Sequence, residues 1–123
     1  MPELNYLGMS ETLWPSAKIA TVSERLDTLL RVFSDMRERQ KLTSDEIMIF
    51  LAVGRLGIAA TPQGVTMRPV TCLDISQLLK IPTETVRRKA VRLEKIHFVT
   101  RTTRGIAIQN LDEWRRLAEM LTI

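Results

Sequence analysis

Pro82 divides a stretch of helical periodicity into two short segments, and this break limits the folds open to the chain. The first segment begins at Thr71, in the capping-box-like sequence Thr-Cys-Leu-Asp. It cannot continue beyond Ile81, because the residue before a proline is disfavoured in helical geometry. After Pro82, apolar residues recur on one helical face at spacings of four and three: Val86, Ala90 and Leu93. Two helices joined by about three residues predict a helix-turn-helix over residues 71–96.

A β-hairpin is predicted directly after these helices, over residues 98–109. Its two flanks alternate apolar and polar residues, and a glycine-containing turn, Thr102–Gly105, lies between them. A hairpin that follows the second helix of a helix-turn-helix is a wing. Its tip would carry two arginines, Arg101 and Arg104, beside Thr102 and Thr103.

Positive charge is concentrated in the same part of the chain. The 123 residues include 18 lysines and arginines and 14 acidic residues, for a net charge of +4. The segment from Lys80 to Arg104 has eight basic residues and two acidic ones, so it carries +6 and the rest of the chain −2. This distribution is typical of a surface that binds a polyanion, although a solvated helix face would produce the same count.

Several classes of protein are excluded by composition. One cysteine and one histidine cannot build a disulfide framework, a cysteine-based zinc site or a multi-histidine metal site. The sequence has no nucleophile–base set and no glycine-rich phosphate loop, so we expect a protein that is not an enzyme and has no cofactor. No apolar run approaches the roughly 20 residues of a membrane span, and the N-terminus lacks the features of a signal peptide. A soluble cytoplasmic protein is therefore expected.

Helices are predicted on both sides of this unit. Residues 1–15 have no period and are expected to form an N-terminal arm, and a long helix follows over residues 16–39. Its apolar seam has the spacings 3, 4, 3, 4, 3: Ile19, Val22, Leu26, Leu29, Phe33 and Met36. A C-terminal helix over residues 110–121, with Asn110 as its N-cap, has an apolar face of Trp114, Leu117 and Leu121. We expect the two faces to form a homodimer interface, the alternative being packing within one chain.

Between the long helix and the helix-turn-helix, the sequence predicts a buried helix and a loop. Thr43 and Glu46 form a capping box at the start of a nearly all-apolar helix, and Gly57 ends it. The turn residues Pro62, Gly64 and Pro69 indicate that residues 58–69 are a connecting loop. Val70 is expected to form a short strand.

The run from Thr85 to Val99 resembles the recognition-helix-to-wing segment of the bacterial GntR and MarR families of transcriptional regulators. Leu42-Thr43 ahead of an apolar helix is similar to MarR-type regulators in particular. The resemblance implies a mainly α fold with a small β-hairpin, a winged helix-turn-helix flanked by N- and C-terminal helices, in one domain over residues 16–123. Lys80 and His97 stand where these families usually have glycine, so both are expected at positive φ. Lys89 stands at a position that is commonly apolar.

The same resemblance implies a sequence-specific, double-stranded-DNA-binding transcriptional regulator. The second helix would lie in the major groove and the wing beside it. The residues that this places at the DNA are Ser76, Gln77, Thr83, Glu84, Thr85, Arg87, Arg88, Lys89, Arg92, Arg101, Thr102, Thr103 and Arg104. The alternative is a winged-helix protein–protein interaction module without specific DNA binding. Cys72, at a helix N-terminus, is either a redox sensor or a small packed residue.

Overall fold

The computed structural model describes residues 14–122, and this part of the chain is mainly helical, with five helices and two small antiparallel hairpins. Most of the predicted N-terminal arm, residues 1–13, lies outside the described residues. In chain order the elements are α1 (Ser16–Arg39), α2 (Ser44–Gly57), β1 (Ile58–Thr61), β2 (Gly64–Met67), α3 (Cys72–Leu79), α4 (Thr83–Lys95), β3 (Val99–Thr102), β4 (Gly105–Ile108) and α5 (Leu111–Thr122). Among these helices, none is both long enough and apolar enough to cross a bilayer.

Helix α2 lies at the centre of the core. Its buried residues contact α3, α4, α5 and β4, and they include Ile47, Ile49, Phe50 and Val53. The ring of Phe50 packs against that of Phe98, at the start of the second hairpin, with 4.7 Å between ring centroids. Because α2 is covered on nearly every side, it fixes the relative positions of the elements around it.

The ends of the helices follow the predicted capping patterns. Thr43 accepts a hydrogen bond from the backbone N–H of Glu46, and the Glu46 carboxylate accepts one from the N–H of Thr43, which completes the capping box of α2. At α3 only half of the pattern forms: Thr71 accepts from the N–H of Asp74. Asn110 caps α5 by accepting from the N–H of Glu113.

The prediction of a loop over residues 58–69 is wrong, because most of this segment is the β1–β2 hairpin. Ile58 pairs with Met67 and Thr61 with Gly64, and the Thr61 hydroxyl donates to the Gly64 carbonyl across the turn. Every residue of β2 is exposed, so burial imposes no alternation of apolar and polar residues on it. Pro62 and Gly64, which suggested a loop, instead form the turn of the hairpin and its flank.

Two residues predicted at a dimer interface belong to the core of their own chain. Met36 and Leu117 are both fully buried, because α1 packs against α5 and both helices pack against α2. The buried residues of α1 are Val32, which lies beside the predicted seam, and Met36, the last member of the seam. Trp114 lies against Gly54 of α2, and its indole N–H donates to the Leu51 carbonyl at 3.2 Å.

The N-terminal part of the predicted seam is mostly open to solvent. Leu26 is 51% exposed and the neighbouring Leu30 is 62% exposed, while Ile19 and Leu29 are also exposed and Val22 is half-buried. Phe33 and Leu121, also predicted at the dimer interface, are half-buried against the core of their own chain. No residue between positions 16 and 31 is buried, so the first four turns of α1 extend past the core.

Candidate functional site

Helices α3 and α4 are joined by the three residues Lys80, Ile81 and Pro82. Lys80 adopts the left-handed conformation, with φ of 60°, as predicted for a position that favours glycine. The hydroxyl of Ser76 donates to the Ile81 carbonyl at 2.5 Å and so holds the turn closed. Ser76 was predicted to contact DNA, but it is half-buried and its hydroxyl is engaged inside the turn. Its neighbour Gln77 is exposed.

The inner face of α4 is packed and its outer face is open. Val86, Ala90 and Leu93 are buried, as predicted. At 100° per residue, the opposite side of the helix belongs to Arg88 and Lys95. Both side chains are exposed, and within residues 14–122 neither forms a hydrogen bond or an ion pair. Arg88 is therefore available to a ligand.

One flank of α4 carries a local ion pair. The Arg87 guanidinium donates to the Glu84 carboxylate one turn earlier, and this hydrogen bond lowers the pKa of Glu84 below its usual range. Both side chains are well exposed. The two residues predicted separately at the interface thus act as a pair, and the carboxylate partly neutralises Arg87. Thr83 is exposed in the first turn and Thr85 is half-buried.

The other flank of α4 is tied to the start of α2. The Lys89 ammonium lies 3.4 Å from the Thr43 hydroxyl and 3.9 Å from the carboxylate of Glu46, which is itself buried. Arg92 donates to the Lys41 carbonyl at 2.9 Å, and its Nε lies 3.5 Å from the same carboxylate. The side chain of Lys89 is only 19% exposed, so it faces the capping box rather than the outer side of α4. Lys89, predicted among the residues at the DNA, therefore lies on the flank of α4 and not on its outer face.

The β3–β4 hairpin is fastened to α4 through Arg101. The Arg101 Nε donates to Glu94 at 2.9 Å, and the Arg101 backbone N–H donates to the other carboxylate oxygen at 3.1 Å. These two hydrogen bonds lower the pKa of Glu94, with the side-chain bond the larger cause. At the tip, Thr102 accepts from the N–H of Arg104, while Thr103 is exposed. The Arg104 side chain is exposed and is without a partner in the part of the chain that the structure describes.

Gly105 lets the hairpin approach the segment before α3. Its φ is 140°, and a Cβ at this position would lie 2.4 Å from the Val70 carbonyl oxygen. Val70 and Ile106 exchange two backbone hydrogen bonds of 2.7 Å, so the short strand predicted at Val70 is a single bridged residue beside β4. His97, between α4 and β3, has φ of 63°, which agrees with the prediction. The orientation of the hairpin is therefore set from both edges.

Cys72 at the start of α3 is the candidate redox sensor. It is half-buried, and burial raises the pKa of its thiol. The positive charges of Arg87 and Arg101 lower this pKa, but burial is the larger cause. A raised pKa does not favour the reactive thiolate that a redox sensor requires.

The cations of the α3–α4 turn, of α4 and of the β3–β4 hairpin fall into two sets. Arg87, Arg101, Lys89 and Arg92 have carboxylate partners. Lys80, Arg88, Lys95 and Arg104 have exposed side chains with no ion pair to the residues described. Lys80 and Lys95 were not among the predicted site residues, although both belong to the segment of excess positive charge. Lys95 follows Arg88 by two helical turns, so periodicity alone places the two residues on the same face of α4.

Comparison of the chain with protein-family models, with curated proteins and with solved structures finds no significant match.

Proposed function

We propose that the protein is a sequence-specific, double-stranded-DNA-binding transcriptional regulator with a winged helix-turn-helix. In this proposal α3 and α4 are the helix-turn-helix and the β3–β4 hairpin is the wing. The observation that supports it most is the pair of free arginines, Arg88 on the outer face of α4 and Arg104 at the hairpin tip. They project from the two elements that would meet the grooves of a duplex.

The two arginines have different roles in this proposal. α4 enters the major groove, where the planar guanidinium of Arg88 matches the O6 and N7 acceptors of a guanine. Arg104 approaches phosphates or the adjacent minor groove, where Thr103 adds a hydroxyl group, while the Thr102 hydroxyl already donates to the Gly105 carbonyl at 3.0 Å. Lys80 and Lys95 add charge at the two ends of α4. Arg87 is paired with the exposed carboxylate of Glu84, which offsets part of its charge.

Duplex binding as a function of salt tests the proposal. Fragments enriched by the protein from its source genome supply the sequence, and fluorescence anisotropy then measures the dissociation constant between 50 and 200 mM salt. A regulator binds its enriched sequence in preference to random duplex, with affinity that falls steeply as salt rises, because each neutralised phosphate releases counterions. If the wild-type protein has no affinity for any duplex, the proposal is wrong and a protein-interaction module takes its place.

Two substitutions separate reading of bases from contact with phosphates. Arg88→Ala is expected to cost about 1–3 kcal/mol of binding and to relax specificity at one base pair. Arg104→Ala is expected to weaken binding to all sequences and to reduce the salt slope by about 1. Arg115→Ala, on the exposed side of α5, is the control; its one ion pair among the described residues, to Glu119 at 3.6 Å, is between exposed side chains. Circular dichroism verifies that each variant is folded, and wild-type binding by both site variants would refute the docking arrangement.

The exposed apolar stripe of α1 supports a homodimer. A helix of about 16 residues with little packing is marginal in water, and no residue between positions 16 and 31 is fully buried within the chain. Ile19, Leu26, Leu29 and Leu30 lie along this stretch and are exposed. We place the dimer interface on this stripe, without Met36 and Leu117. Two α4 helices would then meet an inverted repeat with half-sites about one helical turn apart.

A further inference from the structure

The connection between α1 and α2 lies directly against α4. Arg92 donates to the Lys41 carbonyl at 2.9 Å, and the Lys89 ammonium lies 3.4 Å from the Thr43 hydroxyl. Lys41 has φ of 59°, which turns the chain sharply between the two helices. Residues 40–43 are distant from α4 in sequence, but these contacts bring them to the flank of the helix.

This connection brings two further cations to the surface. Arg37, in the last turn of α1, and Lys41 both have exposed side chains, and among residues 14–122 neither side chain has a hydrogen-bond or ion-pair partner. Together with Lys89 they line a cleft with a volume of about 630 Å³, and Asp45 is the one acidic residue of its lining. A basic residue at a helix C-terminus also complements the helix dipole, which is sufficient reason for Arg37. Lys41 directly follows the C-cap Gln40, so it is also close to this end of the dipole.

The Glu46 carboxylate offsets only part of the positive charge on this flank of α4. It is buried, accepts from the backbone of Thr43 and lies near Lys89 and Arg92. This flank therefore has two carboxylates, those of Asp45 and Glu46, against four cations: Arg37, Lys41, Lys89 and Arg92. Arg37 and Lys41 have no ion pair with Glu46 or with any other described carboxylate.

This cleft and the β3–β4 hairpin lie on opposite flanks of α4, and that arrangement points to the ligand. Lys89 and Arg92 lie on one flank of α4, and Glu94, which holds Arg101 of the hairpin, lies on the other. A helix in the major groove has a phosphodiester strand on each side, because the groove is only about 12 Å wide. In the proposed arrangement the hairpin lies against one DNA strand, and the α1–α2 connection lies against the other.

We propose that Arg37 and Lys41 form a second phosphate-binding element, which contacts the DNA backbone on the side of α4 opposite the hairpin. This inference depends on the proposed function, since it names further contacts of the same interface. Lysine binds phosphate as a compact point charge without reading bases. The element therefore adds affinity and fixes the orientation of α4, and it adds no sequence preference of its own.

Arg37→Gln combined with Lys41→Gln tests this element on a 30-base-pair duplex that contains the sequence enriched by the wild-type protein. Loss of two phosphate contacts is expected to reduce the slope of log K against log salt by about 1.8 and to weaken binding at least about tenfold at 150 mM salt. The preference for the enriched sequence over random duplex stays unchanged. Ethylation interference is expected to lose the phosphates on one side of the major groove only.

Two further variants make the result specific. Lys18→Gln with Arg115→Gln removes the same charge from the start of α1 and from α5, and it is expected to retain the wild-type slope. Arg37→Lys with Lys41→Arg retains the charge and is expected to restore binding. A wild-type slope in the Arg37/Lys41 glutamine variant, or an equal loss in the control, overturns the inference. Failure of the wild-type protein to bind any duplex instead refutes the proposed function, so the two failures are distinguishable.

Discussion

Two glycines with almost the same backbone conformation differ in what a side chain would meet. Gly64 and Gly105 have φ of 135° and 140°, in a region that disfavours every other residue. Nothing lies within 4 Å of a Cβ at Gly64, whereas one at Gly105 would lie 2.4 Å from the Val70 carbonyl oxygen. Gly64→Ala is expected to cost about 1–3 kcal/mol from backbone strain, and Gly105→Ala to cost more, because the Val70–Ile106 bridge must also open.

Thermal unfolding followed by circular dichroism compares these two variants directly. The difference between them isolates the packing of the hairpin against the segment before α3, since the backbone strain is common to both. Equal destabilisation would mean that the close approach at Gly105 is not required. A lower stability of Gly64→Ala than of Gly105→Ala would contradict the argument outright.

At single residues, the family resemblance predicted two backbone conformations, while contacts between distant residues were missed. The positive φ of Lys80 and His97 was expected because both stand where the resembling families usually have glycine, whereas the positive φ of Lys41 was not predicted. The engagement of Lys89 and Arg92 with Glu46 was not predicted either. These residues are separated by more than 40 positions, and only the packing of α2 on α4 brings them together. Periodicity located Lys89 on α4 but gave no information about its partner.

The two hairpins illustrate the same limit at the scale of elements. The β3–β4 hairpin was predicted because Val99, Ile106 and Ile108 are buried and impose alternation on the sequence. The β1–β2 hairpin contacts little besides itself and α2, so its residues are free of that constraint. Ala59 and Ala60 add no β-propensity. Only the turn residues Pro62 and Gly64 gave a signal in the sequence, and such residues occur in loops and in hairpins alike.

The attachment of α5 to α2 depends on one missing side chain. A Cβ on Gly54 would lie 2.0 Å from Cε2 of the Trp114 indole. Gly54→Ala is therefore expected to displace the ring, to break its hydrogen bond to the Leu51 carbonyl and to cost about 2–4 kcal/mol of stability. In a Trp14→Phe background Trp114 is the one tryptophan left, so its fluorescence reports the displacement alongside chemical denaturation.

A double-mutant cycle assigns that effect to its cause. Trp114→Leu removes the ring that a Cβ would meet, so Gly54→Ala is expected to cost much less in that background than in the wild type. A coupling energy near zero would show that the alanine acts through the backbone of α2 instead. Helix propensity favours alanine over glycine by about 1 kcal/mol, which makes the sign of the residual effect informative as well.

At the scale of the whole molecule, the two proposed interfaces use different elements. The proposed DNA surface uses cations of α4, of the β3–β4 hairpin and of the α1–α2 connection, although Lys18, Arg25, Arg55 and Arg68 are also exposed without an ion pair among the described residues. The proposed dimer interface uses Ile19, Leu26 and Leu30, which are exposed along the first turns of α1. In the proposed arrangement the protein binds DNA and a second copy of itself at the same time. This separation is the basis for a prediction about the assembly.

Leu26→Glu with Leu30→Glu is expected to convert the protein from a dimer to a monomer of 14.1 kDa in sedimentation experiments, because it places charge in the middle of the proposed interface. Val65→Glu, on the exposed strand β2, is the matched control and is expected to stay dimeric. On DNA, the wild type is expected to prefer two half-sites one turn apart to a single half-site, and the double variant to lose that preference while it still binds one. A wild-type protein that sediments as a monomer at tens of micromolar would exclude the stripe as a dimer interface, and α1 would then need another partner.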